Sequence, residues 1–117
     1  MKGIVTEHSE ICFVCGRQTE AEHHLIFGTA GRELSEKDGL KIPICNNCHN
    51  MGEVTRRIHG NPMAEKMSKI IGQLAWERQW ILKDAVHDKD GDEEEAQALE
   101  SRIARKEFRS RYGISYL

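Results

Sequence analysis

The most regular hydrophobic pattern lies in the middle of the chain, where apolar residues recur at helical spacing between residues 61 and 83. Asn61 is a favourable N-cap and Pro62 stands at the first helical position. We expect the apolar side to pack on the core. Its members are Met63, Met67, Ile70, Ile71, Leu74 and Ile81.

A second helix is predicted from about Asp92 to Tyr112, after an acidic loop at 84–92. Asp92 would cap it, glutamates fill its first turn, basic residues crowd its last turns, and Gly113 stops it. The inner stripe is expected to be Ala96, Leu99, Ile103 and Phe108.

The first half has shorter patterns. Residues 21–27 and 40–45 have strand character, with Pro43 limiting the second to a sheet edge or to a strand that ends at a metal. Residues 28–39 combine glycines with charged residues and predict a polar loop. A short or irregular helix is expected from about Cys48 and His49, capped by Asn46 or Asn47 and limited by Gly52.

Composition narrows the class of protein. At 117 residues, 38% apolar and 31% charged, the chain predicts one domain with a thin core that a structural metal would help to hold. The net charge of −2 means that a polyanion would have to be met by a local patch. No apolar run reaches membrane-spanning length and the N-terminus lacks a signal-peptide core, so a cytoplasmic location is expected, with no membrane partner.

Two CxxC pairs, Cys12 with Cys15 and Cys45 with Cys48, are the strongest chemical signal. In a cytosolic chain, two such pairs favour one tetrahedral zinc over disulfides. A redox CxxC would need a neighbouring βαβ pattern, which the sequence lacks. Four thiolates close the coordination shell, so this zinc is expected to be structural.

Three histidines lie within or beside this frame: His23, His24 and His49. Adjacent strand residues face opposite ways, so one of the first pair can bind a metal while the other faces substrate. Spacing alone leaves two alternatives open, a second metal site or polar residues at the rim of the zinc site.

The order of these motifs resembles the HNH endonucleases, also called His-Me finger or ββα-metal nucleases. The likeness covers residues 12–60, and the segment at 39–45 is similar to the small phage-type members, several of which nick duplex DNA. It implies an α+β fold with a zinc-stapled ββα-metal core at 1–60. Residues 61–117 would form a helical extension within the same single domain.

The resemblance also implies roles for the histidines. His24 matches the general base that activates water, while His23 and His49 match ligands of a catalytic divalent ion. The four cysteines match the structural zinc of many members. His59 is expected as the third ligand of the catalytic ion, in preference to Glu53, which lies four residues after His49.

One motif position departs from the family. Gly39 and Leu40 stand where the middle asparagine is expected, so the residue that orients His24 is left open between Asn46, Asn50 and a backbone carbonyl.

The resulting expectation is a divalent-metal-dependent DNA endonuclease, a phosphodiester hydrolase that nicks duplex DNA with limited sequence specificity. Imidazole ligands suit Mn, Co, Ni or Zn better than Mg. The basic residues expected to contact DNA are Arg32, Lys41, Arg56 and Arg57. The alternative is a non-enzymatic zinc module that binds nucleic acid or protein. A homodimer formed through the C-terminal helices is left open.

Overall fold

The computed structural model describes residues 2–28, 30–84 and 93–117. It is a small α+β structure with a two-stranded sheet and helices. The elements in chain order are β1 (Ala21–His24), α1 (Gly31–Asp38), β2 (Lys41–Ile44), a single π-helical turn (Asn47–Met51), α2 (Pro62–Asp84) and α3 (Glu93–Tyr112). None of the described helices has the length and apolar character needed to cross a membrane.

The sheet is antiparallel, and its register pairs His23 with Ile42 and His24 with Lys41. Alternation along β2 buries Ile42 and Ile44, while Pro43 occupies an edge position opposite Glu22. The first CxxC turn packs beside this strand, because the Phe13 amide donates to the Pro43 carbonyl. Both predicted strands are therefore present, although β1 ends at His24, before the predicted limit at residue 27.

The prediction of a polar loop at 28–39 was wrong, since α1 occupies most of this segment. Gly39 ends the helix in a left-handed conformation at φ 71°, which a glycine adopts without strain. Buried Ser35 docks the helix, because its hydroxyl donates to the Ile26 carbonyl and accepts from the Ile26 amide. Tertiary contacts thus stabilise a helix that has little apolar periodicity.

The helix predicted after the second CxxC pair is one π-helical turn that ends before Gly52. Neither proposed asparagine cap is confirmed. Asn46 makes no side-chain cap, and its backbone and side-chain amides both donate to Glu20.

The start of α2 is confirmed, because the Asn61 side chain accepts a hydrogen bond from the Ala64 amide. The predicted buried stripe is wrong in part, since Met63, Met67 and Leu74 are exposed. The buried side of α2 is formed by Ser68, Gly72, Gln73 and Glu77. At Gly72 an added Cβ would lie 3.0 Å from Ile26 Cγ1, so a small residue is needed for this close approach.

The bounds of α3 agree with the prediction, and Gly113 follows it at φ 88°. The proposed cap, Asp92, lies outside the described residues, as does most of the predicted loop at 84–92. Phe108 is fully buried as expected, but Leu99 and Ile103 are exposed. Phe108 completes one core cluster with Leu25, Ile26, Leu40 and Ile42; a second holds Cys12, Ile44, Cys45 and Ile58.

Asp38, the last residue of α1, connects this helix to both long helices. Its carboxylate accepts hydrogen bonds from Trp76 Nε1 on α2 and from the Arg111 guanidinium and the Tyr112 hydroxyl on α3. Only 15% of its side chain is exposed, so little water competes for these contacts.

We predict that Asp38→Ala lowers the free energy of unfolding by about 2–4 kcal/mol, because three buried or half-buried donors lose their acceptor. Urea denaturation followed by tryptophan fluorescence measures this loss. Glu33→Ala on the exposed first turn of α1 is the matched control and should cost less than about 1 kcal/mol. Equal losses in the two variants would contradict the proposed role of Asp38.

Candidate metal centres

The four cysteines form one cluster, with their sulfur atoms all within 4.8 Å of one another. All four are free thiols, and Cys15 Sγ lies 3.6 Å from Cys45 Sγ. Two thiolates on a tetrahedral zinc lie about 3.8 Å apart, given a Zn–S bond of about 2.3 Å. The donor set and its spacing therefore fit a zinc ion.

The first CxxC turn presents its sulfur atoms through its backbone. The Cys12 amide donates to the Arg17 carbonyl, the Gly16 amide donates to the Cys12 carbonyl, and the Val14 amide points at Cys12 Sγ from 3.4 Å. Burial opposes ionisation of Cys12, but hydrogen bonds from the backbone amides of Cys15, Cys45 and Val14 outweigh it and lower the pKa of Cys12 to about 6. A thiolate is thus favoured before any metal binds.

At Cys48 the pKa shift has the opposite sign. Burial, followed by the neighbouring thiols, raises the pKa of Cys48. Four thiols crowded into one cluster cannot all ionise without a cation, and a zinc ion supplies that charge.

A second cluster joins three histidines, with one nitrogen from each of His23, His49 and His59 lying within 4.8 Å of the others. His49 Nε2 and His59 Nε2 are 3.1 Å apart. The ring of Phe27 closes one side of the cluster, with its centroid 4.9 Å from that of His59 and 5.6 Å from that of His23.

Backbone pairing brings His59 to this cluster. The Ile58 amide donates to the Cys48 carbonyl, and the His59 amide donates to the His49 carbonyl. Arg57 braces the same loop by donating to the carbonyls of His59 and Gly52. Glu53, the other candidate for this position, is exposed and is in neither of the two metal-ligating groups found among the described residues.

The tautomer of His23 follows from its hydrogen bonds. Ser68 Oγ donates its single proton to the Leu25 carbonyl at 2.7 Å, so the hydroxyl must accept from His23 Nε2, which also lies 2.7 Å away. His23 Nδ1 therefore carries a lone pair. This atom is buried and is the one buried side-chain polar atom in the described part of the chain that has no hydrogen-bond partner.

An orphaned, unprotonated imidazole nitrogen beside two others is what a metal ligand requires. Burial is the main cause that lowers the pKa of His23 to about 3, followed by the charges of His59, His49 and His24. Burial and the neighbouring charges of His59 and His24 also lower the pKa of His49. His23 and His49 are thus held as neutral imidazoles, the form that binds a divalent ion.

His24 lies on the opposite face of β1 and is not part of the cluster. Its Nε2 is 2.8 Å from Glu36 Oε2, and Lys41 contacts the other oxygen of that carboxylate at 3.1 Å. Hydrogen bonds from His24 and Lys41 lower the pKa of Glu36 to about 2, so the carboxylate stays ionised. Neither asparagine suggested as a brace for His24 takes this position, since Asn46 is bonded to Glu20 and Asn50 is exposed.

The predicted DNA-contacting residues lie in different surroundings. Arg32 lines an open cleft of about 710 Å³ together with His24, Glu36 and Lys37. Arg56 is exposed beside the first CxxC turn. Lys41 is 10% exposed and paired with Glu22 and Glu36, and Arg57 is bonded to two carbonyls, so both already have structural contacts.

Sequence reasoning missed Glu36, Ser68 and Phe27, each of which touches a site histidine. No local pattern marks Ser68, which is 45 positions from His23. Glu36 fell within the segment that was predicted to be a loop.

These features define a protein with two separate clusters that could hold a metal ion, one of sulfur and one of nitrogen ligands. Residues 6–76 match the family described as "Protein of unknown function (DUF968)"; because this span covers more than half of the chain, the chain belongs to that family. No curated protein and no solved structure matches the chain.

We predict that Cys12→Ser lowers tightly bound zinc by one ion per chain and unfolds the first half of the protein, because a structural zinc contributes directly to folding. Atomic absorption and far-ultraviolet circular dichroism measure the two effects. Val14→Ser in the same turn keeps all four thiolates and should retain the ion. Retention of the full zinc content by Cys12→Ser would contradict the assignment.

We predict that, with no divalent ion added for the histidine cluster, stability falls as the pH drops below 6.5. The pKa of His23 is about 3 in the fold against an ordinary 6.5, so the unfolded chain binds one proton more between these values. From pH 6 to pH 5 the wild type should lose about 1 kcal/mol more unfolding free energy than His23→Gln. Denaturant titrations at both pH values measure the difference, and parallel losses would refute the assignment of a neutral, buried His23.

Proposed function

We propose that this protein is a divalent-metal-dependent endonuclease of the HNH, or ββα-metal, type that nicks duplex DNA. The observation that carries the proposal is the pairing of a three-imidazole cluster with a fourth histidine, His24, on the adjacent position of the same strand. The three-imidazole cluster can hold a metal ion while His24 takes a proton from water. Hydrolysis of a phosphodiester needs both functions.

The arrangement of elements supports this assignment. His23 and His24 end β1, β2 pairs with it in antiparallel fashion, and His49 lies in the helical turn that follows β2. Apart from α1, which lies between the two strands, this order of strand, strand and helical turn resembles that of the ββα-metal nucleases, with the helix reduced to one π-helical turn. The cysteine cluster would hold the structural zinc beside it.

His23, His49 and His59 would hold the catalytic ion. Three nitrogen ligands favour Mn, Co, Ni or Zn over Mg. Such an ion, when bound, supplies Lewis-acid stabilisation of the phosphoryl and leaving oxygens. Ser68 fixes the tautomer of His23, and Arg57 holds the loop that carries His59.

His24 is the candidate general base, and Glu36 is its positioning residue. The ionised Glu36 carboxylate would accept a hydrogen bond from the Nε2–H group of His24, which leaves Nδ1 free to take a proton from water. This carboxylate would replace the middle asparagine of the family motif, for which the sequence has Gly39 and Leu40.

The surface around His24 supports contact with the DNA backbone. Arg32 and Lys37 are exposed on the wall of the cleft that contains His24, and Arg56 is exposed near the cysteine cluster. Contacts to phosphates position a protein on DNA without reading sequence, so limited specificity follows. One such centre per chain favours nicking over cleavage of both strands.

We predict that His24→Ala reduces the nicking of supercoiled plasmid by at least about 100-fold, because the general base is lost. Zinc content and circular dichroism should be unchanged. The assay measures relaxation of plasmid across Mn, Mg, Co, Ni and Zn. Glu36→Gln should lose less, about 10-fold, since its amide oxygen can still accept from His24.

His8→Ala is the matched control, because His8 is an exposed histidine outside both clusters, and it should nick like the wild type. If the wild type relaxes no plasmid with any of these ions, the endonuclease proposal fails. A zinc module that binds nucleic acid or protein without cleavage would then be the better description.

A further inference from the structure

Lys69 lies one residue after Ser68, on the segment of α2 that packs against His23. Its ammonium sits 4.7 Å from the centroid of the Phe27 ring and 5.6 Å from that of Tyr116. The same Phe27 ring packs against His59 and His23. The Phe27 ring therefore contacts both this cation and the histidine cluster.

Lys69 lacks the carboxylate partner that three cations of the folded structure have. Lys41 pairs with Glu22 and Glu36, Arg105 with Glu77, and Arg111 with Asp38. Among the side chains that the structure describes, Lys69 forms no ion pair, and its ammonium lies over two aromatic rings. A ring face offers a weaker attraction than a full negative charge.

A metal ion bound by the histidine cluster would make the position of the Lys69 ammonium unfavourable unless an anion is also present. Imidazole ligands carry no negative charge, so a divalent ion held by these three would keep its whole charge. Glu65, the carboxylate that approaches the cluster, lies 4.0 Å from His59 Nδ1 and accepts from the Gly60 amide. A cation held in the cluster and the Lys69 ammonium, both beside the Phe27 ring, would repel each other, and an anion that contacts both would relieve this repulsion.

We propose that Lys69 binds a phosphate of the DNA strand at or next to the bond that is cut, an inference that rests on the proposed nuclease function. The phosphodiester supplies the missing negative charge, and the ammonium donates to its oxygens as a point charge. Phe27 and Tyr116 hold the side chain in place, so less rotamer freedom is lost when the phosphate binds.

Binding of a short duplex oligonucleotide, measured by fluorescence anisotropy over a range of salt concentrations, tests this contact. The parent protein carries His24→Ala so that the DNA is not cut when Mn is present. Adding Lys69→Gln should weaken binding by about 10-fold and reduce the slope of log K against log salt by about 0.9, the value for one phosphate contact. Lys69→Arg should keep both the affinity and the slope.

Lys83→Gln is the matched control, because Lys83 is exposed on the same helix, about 21 Å further along at 1.5 Å per residue. Calorimetry with Mn should show no loss of affinity of the histidine cluster in the Lys69→Gln variant relative to the parent, because removing the ammonium removes a repulsion. Unchanged affinity and slope in Lys69→Gln, or an equal loss in Lys83→Gln, would overturn the proposed contact.

The two proposals fail in different ways. If the parent binds DNA but the wild type cuts none, the nuclease proposal falls while the salt slope still reports on Lys69. If the wild type nicks plasmid and Lys69→Gln nicks and binds equally well, only the Lys69 contact is wrong. If the parent binds no DNA, both are wrong.

Discussion

The cluster of four cysteine sulfurs is the constraint on which the rest of the site depends. Cys48 and His49 are adjacent, so the backbone that places a sulfur in one cluster also places an imidazole in the other. The segment that carries His59 is then paired to this backbone through the carbonyls of Cys48 and His49. A closed, four-coordinate zinc would therefore orient ligands of a second ion while taking no part in chemistry. The two centres use different ligand atoms, but the histidine cluster depends on the cysteine cluster for its position.

Helix α2 contributes to the same site through small and polar residues. Gly72 allows a close approach to Leu25 and Ile26, and Ser68 reaches both the Leu25 carbonyl and His23. A larger side chain at either position would hold the helix away from the strand end. The helix therefore turns its methionines outward and uses its polar side to fix the tautomer of a buried histidine. The family match, which covers residues 6–76 of the chain, includes both clusters and the part of α2 that carries Ser68 and Gly72.

For ligand binding, the charge around the histidine cluster matters more than the net charge of the chain. The chain carries −2 overall, and several of its described carboxylates are paired with cations that hold the fold together, as at Asp38 and Glu77. The histidine cluster itself has no carboxylate in its ligand group. With a divalent ion bound in that cluster and Lys69 nearby, the site would be positively charged on an acidic protein and would favour an anionic ligand.

The sequence by itself determined the cysteine cluster, the strand pair and both long helices, because CxxC spacing, strand alternation, caps and helical periodicity are local patterns. It also nominated His23, His49 and His59 as one group. Only the tertiary structure decided that α1 forms, that the α2 methionines face outward, and that Glu36 and Ser68 contact the site histidines. These outcomes depend on contacts between residues that are tens of positions apart in the chain. In those contacts, the packing of small and polar side chains outweighs the local hydrophobic preference.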